Sequence, residues 1–194
     1  MLTNVLTGAD PFRLRVAQNL LEQRPADEAW AVLDNTGASA LRDHGAHLVA
    51  MDKDCLCCTG SVTLRVTLTR LLRQARPRRL IVLPSAQARL AEVLAVLSDP
   101  WLSAALDLRA AVALAHAGDW HAGTLAARQA SLAMLREAQA AAVEFGEDAI
   151  AAGAMREALT GVDHVVALAS AELPPALLDQ AGVRARSRFP VGDE

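Results

Sequence analysis

Three cysteines stand within one tetrapeptide, Cys55-Leu56-Cys57-Cys58, and the chain has no others. Thiolates are soft ligands, and zinc prefers four tetrahedral nitrogen or sulfur donors. Three sulfurs on one turn leave a fourth position for a side chain, a water or a partner protein. His44, His47, Asp52 and Asp54 are the nearby candidates for it. An open position suits transfer or sensing better than permanent structural closure. Zinc is the first choice of ion, with cobalt or another soft divalent ion as alternatives. A redox dithiol and three inert, packed thiols are the competing readings. Cysteines this close cannot build a disulfide framework, which points to a reducing compartment and a cytoplasmic protein.

The remaining chemistry-bearing residues are scattered. No GxSxG, HExxH or second CxxC pattern occurs. His164 opens an apolar run and reads as a satisfied core or edge residue. His116 and His121 flank Gly118-Asp119-Trp120, read as a loop at the end of a strand, where open α/β sheets hold ligands. Arg70, Arg73, Arg76, Arg78 and Arg79 form a basic cluster, read as a solvated helix end leading into a strand. A docking patch for an acidic partner is the sharper alternative. The net charge of −3 and three Phe, three Trp and no Tyr give no strong signal for nucleic-acid binding. No apolar run is long enough for a membrane span, and the first residues lack the form of an export signal.

The elements that must position these residues alternate in type. Short apolar runs at Leu2–Thr7, Ala29–Leu33, His47–Met51, Arg79–Leu83, Leu106–Ala115 and Val162–Leu168 predict strands. A loop over Gly8-Ala9-Asp10-Pro11 is expected before a helix from Phe12 to Gln23. Leu64, Leu68, Leu71 and Leu72 recur at helical spacing in Ser61–Ala75. Further helices are expected over Gln87–Leu97, as one or two helices within His121–Phe145, and over Pro174–Gln180. Strands without polar alternation, separated by helices, predict an α/β fold with a mostly parallel sheet covered on both faces. Residues 1–182 are expected to form one domain, followed by a flexible tail over 183–194.

The flanks of the cysteines resemble one family. Cys55-Leu56-Cys57-Cys58-Thr59-Gly60, then Leu64-Arg65 and Leu71-Leu72-Arg73, then Arg76-Pro77-Arg78-Arg79-Leu80-Ile81-Val82 are similar to the CxCC motif, leucine-rich helix and RPDRLLIE strand of the CobW-type (CobW/HypB/UreG-like) P-loop GTPases. Asp99-Pro100-Trp101-Leu102 with Leu106-Asp107-Leu108-Arg109-Ala110 resembles the family's next helix–strand passage. Ala142-Val143-Glu144-Phe145 resembles the QVEFAD segment before its guanine-specificity strand. The resemblance implies a P-loop NTPase-like fold and a metallochaperone role, in which zinc, cobalt or related ions are moved under GTP control. It also implies a client or regulatory protein as partner. Relatives that link zinc supply to ribosome state make a ribosome-associated partner one alternative.

The nucleotide motifs of that family are not matched. Where the family carries GxxxxGK[ST], this chain reads Thr7-Gly8-Ala9-Asp10-Pro11-Phe12-Arg13-Leu14-Arg15. A P-loop aims backbone N–H groups and a lysine at phosphates and places a hydroxyl on Mg²⁺. Pro11 removes a donor, Asp10 adds like charge, and Lys53 is the chain's one lysine. Gly8, Asp10, Arg13 and Arg15 are thus the residues of a degenerate loop, with Arg13 or Arg15 as the groups that would meet a phosphate. The IEPSG switch reads Val82-Leu83-Pro84-Ser85-Ala86, and NKxD is absent after Phe145 and after Leu168. The expectation is a degenerate member with zinc as ligand, no catalytic residues and no bound GTP or Mg²⁺. The family's C-terminal domain is not expected within these residues, and apolar helix faces left without it favour a homodimer. A pseudo-GTPase that binds its partner without metal, and a residual GTPase metallochaperone, are the alternatives.

Overall fold

The computed structural model describes residues 1–37, 41–52, 60–86 and 88–182. Strand β1 (Leu2–Gly8) leads into helix α1 (Asp10–Gln23), then β2 (Trp30–Asp34) and β3 (His47–Ala50). Helix α2 (Gly60–Gln74) returns the chain to β4 (Arg79–Leu83). Helices α3 (Leu90–Leu97) and α4 (Pro100–Ser103) precede β5 (Asp107–Leu108) and β6 (Val112–His116). Helices α5 (Ala117–Ala122) and α6 (Leu125–Glu137) lead to β7 (Ala140–Glu144), α7 (Ala149–Ala158), β8 (Val165–Leu168) and α8 (Pro175–Asp179). The sheet runs β3-β2-β4-β1-β6-β7-β8, with β5 also beside β1, and its ladders are parallel.

Both faces of this sheet are covered, as its unbroken apolar strands require. Alternation along each strand sends Val5, Leu80, Val82, Ala113 and Val143 to one face. There they meet Leu64, Leu68 and Leu71 of α2, Val93 of α3, Leu135 of α6 and Met155 of α7. Leu6, Ile81, Leu83, Val112 and Leu114 face the other way, against Phe12, Val16, Leu20 and Leu21 of α1 and Leu177 and Leu178 of α8.

Several elements differ from the sequence reading. The loop expected over Gly8–Pro11 shrinks to Ala9, because Asp10 and Pro11 form the first turn of α1, where proline's missing N–H and fixed φ cost nothing. The single strand expected over Leu106–Ala115 is two. Between β5 and β6 the Arg109 N–H donates to the Thr3 carbonyl and the Ala110 N–H to Gln180, so the chain jogs before rejoining β1. The stretch His121–Phe145 is not wholly helical: Ala140–Glu144 is buried strand β7, hydrogen-bonded to β6 and to β8. Alanine favours helix locally, but small side chains between two neighbouring strands are what this position packs. The segment read as preceding a strand is therefore the strand itself. Arg79 leaves the solvated cluster: it is buried, donates to Asn4 Oδ1 at 2.7 Å, pairs with Asp179 at 2.6 Å and lies over the Trp30 ring. His116 to His121 is a helical turn, with the His116 ring capping α5.

Candidate functional site

Successive connections move outward from β1 to β2 and β3, and then back across β4 to β6, β7 and β8. Neighbouring strands β1 and β4 send their following helices, α1 and α3, to opposite faces. The crevice beyond the carboxyl ends of two such strands is where open α/β sheets bind ligands. Its walls here are Gly8, Asp10 and Arg13 from β1 and α1, Asp34-Asn35-Thr36 at the end of β2, and Pro84-Ser85 after β4.

Gly8 is held at φ +137°, and a Cβ there would lie 2.2 Å from the Leu114 carbonyl oxygen, so strand pairing admits no side chain. One residue, Ala9, separates this strand from helix α1. Arg13, on the first turns of α1, is fully buried. Its Nη1 donates to the Pro84 carbonyl at 2.6 Å and its Nη2 pairs with the Asp10 carboxylate. Burial lowers the guanidinium's pKa, and the charges of Asp10 and Asp34 oppose that shift. An arginine so placed stays protonated and works as a fixed cation. It ties the start of α1 to the end of β4 across the crevice. Arg15, by contrast, is exposed and lies 5.4 Å from the Phe12 ring centroid.

Asp34-Asn35-Thr36, which the sequence reading passed over, form the second wall and are all buried. Asp34 Oδ1 accepts from the Thr36 N–H at 2.8 Å and from its hydroxyl at 2.6 Å. The Asn35 backbone N–H donates to Leu83 O, its Oδ1 accepts from the Ser85 N–H at 3.0 Å, and its Nδ2 donates to the Asp52 carbonyl. One asparagine thus joins the ends of β2 and β4 and the residue at which the cysteine segment begins. Three polar residues directly after the apolar run Trp30–Leu33 were the signal available in the sequence.

Cys55, Cys57, Cys58, Asp54 and Lys53 lie outside the described residues, as does the tail 183–194. The segment that carries the cysteines joins Asp52, at the carboxyl edge of the sheet, to Gly60, the first residue of α2. His47 opens β3 in register with Ala31, so it sits about 16 Å along the strand from Asp52 at ~3.3 Å per residue. His44 lies further back, 3.5 Å from Glu22 in the last turn of α1. Both histidines are therefore toward the opposite edge of the sheet. His116 Nδ1 accepts from the Asp119 N–H, and His164 Nε2 meets the Leu135 carbonyl at 2.8 Å, the satisfied edge position expected of it. Among the described residues no group of three or more His, Cys, Asp or Glu is arranged to hold a metal ion.

The family profile described as the CobW/HypB/UreG nucleotide-binding domain matches residues 15–153. The chain belongs to the CobW/HypB/UreG family. The match begins inside α1, past the β1–α1 connection. Over 119 residues the chain is 31% identical to the zinc chaperone YeiR of Escherichia coli K12, covering 58% of this chain and 36% of that protein. Two solved structures share the fold. The zinc-bound YjiA GTPase of Escherichia coli superposes with a TM-score of 0.65 at 13% identity, over 96% of this chain and 62% of its own length. A zinc-bound triple mutant of YjiA GTPase gives 0.66 at 13% identity, over 97% and 63%. The chain thus spans about a third of YeiR and under two thirds of the YjiA structures. The parallel sheet with its helices is the P-loop NTPase-like fold of this family.

Proposed function

We propose that this CobW-family chain binds zinc through Cys55, Cys57 and Cys58 as a carrier, sensor or metal-dependent interaction factor, and does so without GTP. The observation that carries the second half is Arg13. Its guanidinium spans the crevice from α1 to the Pro84 carbonyl, where a nucleotide phosphate would need room and a mobile cation. One residue between strand and helix leaves no loop of N–H groups to surround a phosphate, and the Asp10 carboxylate beside Arg13 would repel one. Support for the first half is the tricysteine patch, together with a relative whose name records zinc handling.

Asp52 begins the cysteine segment at the carboxyl edge, while His44 and His47 stand toward the other. That placement favours Asp54, water or a partner's side chain as the fourth ligand. Residues 1–182 act as one domain in this reading. The experiment measures bound zinc per chain in the wild type and in Cys57→Ser, alongside titration with a fluorescent guanine nucleotide and Mg²⁺. One zinc per wild-type chain, lost in Cys57→Ser, with no nucleotide binding at micromolar levels, is the expected outcome. Equal, negligible zinc in both proteins would leave a metal-independent pseudo-GTPase, and micromolar nucleotide affinity would restore the residual GTPase.

A further inference from the structure

Helix α2 has two unlike faces. Leu64, Leu68 and Leu71 fill the core beneath the sheet, as their spacing requires. The outer face carries Val62 and Val66 at 65% and 53% exposure, with Arg65, Arg70 and Arg73 around them. No Asp or Glu occurs anywhere from Gly60 to Gln74. Surface helices ordinarily mix charge signs, and bare valines between like charges gain nothing from water.

A second element adds to this face. Arg65 pairs with Asp99, the N-cap of α4, and fastens that turn to α2. Two residues on, Trp101 is 88% exposed although α4 buries Leu102 beside it. Val62, Val66 and Trp101 are three of the five large hydrophobic residues exposed among the described residues, and the other two lie on α6 and α7. Among the described residues Arg70 and Arg73 form no ion pair. Tryptophan and arginine are the residues that dominate protein–protein contacts, and a charged rim around an apolar centre is the usual plan of such a surface.

We propose that the outer face of α2, with Trp101, is a docking surface for an acidic amphipathic segment of a partner protein. The aliphatic residues seat its apolar side chains, and Arg70 and Arg73 hold its carboxylates. The valines decide against nucleic acid, since phosphates and sugars would leave them uncovered in a chain whose net charge is −3. The surface is argued from α2 and α4 alone, so it stands whether or not the cysteines hold a metal.

The test selects from an unbiased display library of helical peptides on the immobilised full chain, then measures the winners in solution. Enriched peptides are expected to carry Glu or Asp together with aliphatic or aromatic residues at i, i+3 and i+4. Arg70→Glu with Arg73→Glu, and separately Val66→Ser, should each weaken them by about tenfold or more, with binding also falling as salt rises. Ile150→Ser, at an exposed site on α7, should bind as the wild type does. All are changes at exposed positions, and thermal melts confirm that each variant folds. Winners without acidic enrichment, or winners that bind the α2 variants undiminished, would overturn the proposal. So would tighter binding of a single-stranded RNA oligonucleotide, or a chain dimer dissolved by Val66→Ser.

Discussion

Replacing Arg13 with methionine tests whether the crevice is closed by structure or kept for a ligand. The substitution keeps an unbranched apolar stem and removes the guanidinium. The Pro84 carbonyl then loses its 2.6 Å donor, and Asp10 and buried Asp34 lose a nearby cation. Removing one partner of a fully buried pair costs about 3–5 kcal/mol. Asp10 is 36% exposed and can rehydrate, so that range is an upper limit for its share. A buried carbonyl left without its donor costs about 1–3 kcal/mol. The sum expected is about 2–4 kcal/mol, a fall in melting temperature of roughly 4–16 °C for a chain of this size. Urea denaturation of wild type, Arg13→Met, Asp10→Asn and the double variant measures it, and the double-mutant cycle isolates the pair. An arginine reserved for phosphate is unsupported without ligand, so its removal would leave stability unchanged or raised. A loss below about 1 kcal/mol, or wild-type protein stabilised by GTP and Mg²⁺, would refute the reasoning.

Gly8→Ala should cost more than about 3 kcal/mol or prevent folding, because its Cβ would meet the Leu114 carbonyl at 2.2 Å and its φ is +137°. Thermal denaturation reads this directly, and a near-neutral result would mean that β1 and β6 are not paired in this register. Asn35→Ala should cost about 1–3 kcal/mol and release the ends of β2 and β4 and residue Asp52 together. Amide hydrogen exchange should show Ser85 losing protection while Val32 in the middle of β2 keeps it. Uniform loss across the sheet would show that Asn35 holds more than its edge.

Local pattern carried much of this protein. Unbroken apolar runs located β1, β2 and β4, because a strand buried on both faces needs no alternation. Apolar runs also located the half-exposed edge strands β3 and β8, and helices between strands require parallel pairing. Leucine spacing in α2 named Leu64, Leu68 and Leu71, which face the core, together with Leu72, which is only half-buried. The family was legible around the cysteine motif and the strand that follows it. The alanines of β7 were not legible: their helix propensity is real, and only the pairing with β6 and β8 overrides it. Arg79 read as surface charge until Asn4 and Asp179 were placed beside it. The crevice shows the same division. Sequence showed that this loop has no lysine and left Arg13 or Arg15 as the groups that would meet a phosphate. The fold decided what Arg13 does, because its partner Pro84 is 71 residues away and is brought near by β4 entering beside β1. Composition and periodicity are properties of neighbours along the chain, whereas a buried charge finds its partner through strand order.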